Sequence, residues 1–102
     1  MKLFIFFFTL LSTICLVSYA DTWIQKNDFS GYGRSDAASF IINGKGYVGT
    51  GGVPTNETYA KDIWEYEPST DSWTQKADIP VGRTEAVGFS IGSKGYIGTG
   101  QV

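Results

Sequence analysis

Four carboxylates crowd one short stretch: Asp62, Glu65, Glu67 and Asp71. Two carboxylates facing each other across a sugar could hydrolyse a glycosidic bond, one as acid and one as base or nucleophile. Here Glu65 and Glu67 sit two apart on a β-like run, so they share one face of a strand. Nothing in the spacing brings another carboxylate opposite them. The expectation is a solvated outer face. Trp23, Trp64 and Trp73 could stack sugars, but two of them recur at equivalent positions of a repeat, where burial is the simpler reading. Trp64 lies on the alternating run and is also expected to be buried. Arg34 and Arg83 each carry a fork that could clamp a carboxylate. At repeated positions they are expected to bond backbone carbonyls or a nearby acid such as Asp36 or Glu85.

The residue inventory removes other chemistries. The chain has no His, which excludes His-ligated metals and His-based triads. Its single Cys, Cys15, lies in the apolar leader, so residues 21–102 hold no thiol nucleophile or disulfide. Asp28, Asp36 and Asp78 are too dispersed for a calcium loop. Gly49-Thr50-Gly51-Gly52 lacks the Lys-Ser/Thr and helix of a phosphate loop. No catalytic residue, metal or cofactor is therefore assigned. Net charge is −2 with signs interspersed, which argues against a nucleic-acid partner. Asn56-Glu57-Thr58 is a glycosylation sequon in a polar connection.

The elements that must position these groups begin after residue 20. Lys2, the apolar run Leu3 to Val17 and the small residues Ser18 and Ala20 form the three-part pattern of a signal peptide. The run is shorter than the ~20 residues that span a bilayer. Residues 1–20 are thus expected to be a helical signal peptide and 21–102 an exported chain, secreted or periplasmic, with no membrane insertion after cleavage.

Residues 21–102 contain one unit twice. Trp23-Ile24-Gln25-Lys26 matches Trp73-Thr74-Gln75-Lys76 at an offset of 50, and Gly33-Arg34 matches Gly82-Arg83 at 49. The offset then stays at 49: Phe40 with Phe89, Lys45 with Lys94, and Gly46-Tyr47-Val48-Gly49-Thr50-Gly51 with Gly95-Tyr96-Ile97-Gly98-Thr99-Gly100. A period near 50 suits four strands per unit. Asn43-Gly44 and Gly92-Ser93 are hairpin turn pairs, and Pro68-Ser69-Thr70-Asp71 is a turn. Strands are predicted near 23–27, 37–42, 46–51, 62–67, 72–77, 86–91 and 95–99. Tyr47 and Tyr96 are predicted core.

These residues resemble the kelch repeat. The marks are Gly33-Arg34 before the first strand, Gly51-Gly52 after the second, then Tyr66 and Trp73, with Gly82-Arg83 opening the next unit. The second unit departs in having Gly100-Gln101 where the family has a double glycine. The resemblance implies an all-β fold of four-stranded antiparallel blades of a β-propeller. About one and a half blades would be present, with a complete one at about 34–78. Kelch-type rings close with about six or seven blades, so the remaining blades are expected from the same longer chain. The implied function is a scaffold whose loops bind a protein or a glycan, here through 29–33 and 53–60. The alternative is the N-terminal part of a galactose-oxidase-like or sialate-mutarotase-like enzyme with its active site in other blades.

Overall fold

The computed structural model describes residues 21–54 and 58–102. The leader and the sequon asparagine lie outside them. The described part is all-β, with six strands: β1 (Ala38–Ile42), β2 (Lys45–Gly49), β3 (Ile63–Glu67), β4 (Ser72–Gln75), β5 (Val87–Ile91) and β6 (Lys94–Gly98). The first four form one antiparallel sheet in chain order, and β5 and β6 form a second.

Local chemistry explains the turns. Asn43 and Gly44 both take positive φ, 50° and 76°, which is the backbone of a tight type I′ hairpin. Asp71 closes the β3–β4 turn at φ 49°. The repeat is visible in the backbone itself. Asp36 and Glu85 share φ 53° and 56°, and Thr50 and Thr99 share 63° and 65°. Stacked aromatic pairs recur as well: Phe40 on Tyr47 at 5.1 Å and Phe89 on Tyr96 at 5.2 Å. These are cross-strand neighbours in equivalent registers.

One predicted strand does not form. Residues 23–27 are unpaired, and Trp23 is fully exposed rather than packed between units. A strand exists only when its backbone finds a partner edge, and among the described residues none pairs with Trp23 to Lys26. The chain first docks at Asn27, whose amide and side chain bond Asp71. From there a strap crosses the sheet. Phe29 sets its ring edge-on to Trp64 and Trp73 at 5.6 and 5.0 Å, covering the outer half of that face. Trp64 is therefore half-buried rather than enclosed, and Tyr96 stays 42% exposed.

The second sheet lies against the first. The Gly88 backbone meets the Ser39 backbone, and Gly95 sits beneath the Phe40 ring, where a side chain would collide. Across this junction the Gly51 amide donates to the Arg83 carbonyl at 2.8 Å, and the Glu85 amide to the Asp36 carbonyl at 3.2 Å.

Thr50 is fully buried in a left-handed conformation that β-branched residues avoid. Its Oγ1 accepts the Ala38 amide at 3.2 Å. Thr50→Val keeps the shape but orphans that amide. It should destabilise the chain by about 1–3 kcal/mol in chemical denaturation, whereas Thr99→Val, at the exposed equivalent, should cost much less.

Candidate functional site

Among the described residues, Arg34 makes the most side-chain hydrogen bonds. Its guanidinium reaches both carboxylate oxygens of Asp62 at 2.8 Å, the Thr50 carbonyl at 3.1 Å and the Tyr32 carbonyl at 3.2 Å. The side chain is only 5% exposed, and Phe29 lies beneath it at 5.1 Å. The acid that pairs with it is Asp62, not the expected Asp36. Asp36 and Glu85 instead occupy the two positive-φ positions before β1 and β5. Arg83 follows the carbonyl half of the expectation, donating to Thr99 at 2.8 Å.

The other repeat marks are joints. Gly51, at φ 98°, leaves no room for a side chain beside the Ser35 and Ala37 backbones. Gly52 bridges Ser35 and Tyr59. Gly82 lies against the Tyr59 carbonyl. Gly33 has open space around it, so no close approach requires a glycine there. The Tyr66 hydroxyl donates to Asp71 at 2.9 Å, and its ring packs on Trp73 at 4.9 Å. The Trp73 indole donates to the Asn27 carbonyl at 3.2 Å.

A cleft of about 520 Å³ opens beside the Arg34–Asp62 pair, lined also by Tyr32, Tyr59, Lys61 and Asp78. A hollow of about 410 Å³ shares Tyr32, Asp62 and Gln75 with it and reaches Trp64. Asp62 is fully engaged, because the Trp64 indole also donates to it at 2.7 Å. Arg34 foremost holds the Asp62 carboxyl below the usual carboxylate range. The groups left open to a ligand are the Tyr32 ring, 75% exposed, and the Lys61 amine, 60% exposed and 3.8 Å from Asp78. This arrangement can hold a polar molecule with one flat face. Asp62, held ionised by Arg34, serves there as a hydrogen-bond acceptor.

Glu65 corrects the expectation of a solvated carboxylate face. It is 9% exposed and accepts the Tyr47 hydroxyl at 2.6 Å, with Lys45 at 3.2 Å and Lys76 at 3.3 Å. The hydroxyl bond and the two ammonium groups lower its pKa to about 2. The same carboxylate pushes the Tyr47 phenol and the Lys45 ammonium upward. Glu67 is lowered too, first by the Ser69 hydroxyl, and Asp71 by the Asn27 amide. The register places Tyr47 beside Glu65. A sequence that alternates Lys45 and Tyr47 opposite Glu65 and Glu67 carries that signal, readable once the strand pairing is fixed.

Among the described residues no three His, Cys, Asp or Glu side chains gather as a metal site. Comparison with models of known protein families finds no match, and neither does a search of the curated proteins.

Two measurements test this arrangement. Because the Glu65 pKa is lower folded than unfolded, its stabilisation is complete above its ordinary value of 4.5 and fades as pH falls toward about 2. Wild type should lose stability across that window, and Glu65→Gln should flatten the loss while costing about 2 kcal/mol at neutral pH. Arg34→Lys breaks the two-pronged contact and should cost about 1–3 kcal/mol by thermal or chemical unfolding.

Proposed function

We propose that this chain is part of an exported kelch-type β-propeller that acts as a binding scaffold for a protein or glycan, with a glycan favoured at the cleft beside Tyr32. The propeller reading is supported by the repeat of backbone and packing at one offset, from the Asp36 and Glu85 turns to the two aromatic stacks. The export reading is supported by the three-part leader.

One observation carries the binding reading. Arg34 and Asp62 neutralise each other at the cleft wall, leaving an exposed tyrosine ring beside a Lys61–Asp78 pair. An exposed ring packs against the C–H face of a sugar, while adjacent polar groups bond its hydroxyls. Residues 29–33, one of the two loop segments read as binding, bring Tyr32 to this wall. A glycosidase reading gains nothing from the carboxylates of this chain. Hydrolysis of a glycoside needs a carboxylic acid with a raised pKa, and Asp62, Glu65, Glu67 and Asp71 are all shifted down.

Saturation-transfer NMR with a panel of neutral and acidic mono- and disaccharides tests the reading. At least one sugar should receive saturation, and Tyr32→Ala should abolish the transfer with the fold intact by circular dichroism. No transfer to any sugar, or transfer indifferent to Tyr32, would overturn the glycan assignment.

A further inference from the structure

Over the matched residues the two units differ in length at one place, the strap that crosses the first sheet. Between Asp28 and Gly33 stand four residues, Phe29-Ser30-Gly31-Tyr32, whereas between Asp78 and Gly82 stand three, Ile79-Pro80-Val81. The longer segment supplies Ser30, Gly31 and Tyr32 to the hollow that reaches Trp64. Insertions in one copy of a repeat map to its loops, often on a binding face, whereas the scaffold recurs from copy to copy.

Gly31 lets the strap lie close against the sheet. A side-chain carbon there would stand 2.6 Å from the Phe29 ring and 2.9 Å from the Trp64 indole nitrogen. The β3–β4 register sets Gln75 directly opposite Trp64, so both side chains stand on this face. Ser30 and Gln75 are exposed. Among the described residues neither the Ser30 hydroxyl nor the Gln75 amide makes a hydrogen bond. A primary amide presents two donors and an acceptor, and a hydroxyl both donates and accepts. These groups complement the hydroxyls of a sugar.

The hollow of about 410 Å³ and the cleft of about 520 Å³ meet along Tyr32, Asp62 and Gln75. Each alone lies within the range of about 300–1,000 Å³ that small-ligand pockets occupy. Their common wall carries no net charge, since Asp62 is matched by Arg34. We infer that this site takes two linked neutral sugar residues, one in the cleft against Tyr32 and the second in the hollow beside Ser30 and Trp64. This rests on the glycan reading and adds to it the length and charge of the ligand. Gln75 lies where the two spaces meet, so its amide bonds hydroxyls beside the glycosidic linkage.

Isothermal titration calorimetry on the full chain, with glucose, galactose and mannose set against maltose, cellobiose, lactose and mannobiose, tests the second subsite. At least one disaccharide should bind about tenfold or more tighter than each of its constituent monosaccharides. Gln75→Ala removes the amide, and Ser30→Leu crowds the hollow. Each should cut that ratio to about threefold or less. Circular dichroism checks that both variants keep their strands. In saturation-transfer NMR both rings of the bound disaccharide should receive saturation. A disaccharide that binds no tighter than its monosaccharides, saturation confined to one ring, or a ratio indifferent to both substitutions would overturn the second subsite and leave the glycan reading standing. Binding of no sugar at all would overturn the glycan reading, and the second subsite with it.

Discussion

The bond from the Arg34 guanidinium to the Thr50 carbonyl holds the rest in place. It pins a buried threonine in a left-handed conformation, a state that costs on the order of 1–3 kcal/mol unless the surroundings compensate. That conformation turns the chain so that the next amide, on Gly51, points at the second unit's Arg83 carbonyl. Arg83 then holds Thr99 in the same way. Arginine, left-handed threonine and glycine form a relay that passes orientation from one unit to the next. Asp62 makes the relay affordable, since a nearly buried guanidinium without a counter-charge would be strongly destabilising.

This places charge where it organises the fold rather than where it would react. Two ion clusters bracket the four-stranded sheet: Arg34–Asp62 at the cleft, and Glu65 with Tyr47, Lys45 and Lys76 on the opposite face. Each carboxylate is surrounded by donors and kept ionised. A small all-β unit with few fully buried side chains gains from such networks, because only Ala38 and Ile63 qualify as buried apolar residues among those described. The aromatic residues supply most of the remaining packing, half-buried on the two sheet faces.

Six of the seven predicted strands were legible because they carry local signals: Asn43-Gly44 and Gly92-Ser93 turns, and alternation at Ile63 to Glu67. The repeat offset located equivalent positions without any knowledge of the fold. Trp23 to Lys26 misled because repeat similarity reports what a segment can pair with, not whether a partner edge is present. The acid partner of Arg34 was equally out of reach. Asp36 is nearer in sequence, but Asp62 is brought close only when β2 and β3 pair Gly49 with Ile63. Glu65 looked solvated because its ligands come from elsewhere in the sheet, Tyr47 from β2 and Lys76 from just beyond β4. Side-chain partners set by register are invisible until the register is known.

Amide hydrogen exchange of the dilute chain tests the relay most directly. The Gly51 and Glu85 amides bond across the two sheets, whereas the equivalent Gly100 and Asp36 amides have no backbone partner among the described residues. The relay predicts strong protection at Gly51 and Glu85 and rapid exchange at Gly100 and Asp36, with protection at Gly51 lost in Arg34→Ala. Equal, rapid exchange at all four amides, or protection of Gly51 that persists without the Arg34 guanidinium, would contradict it.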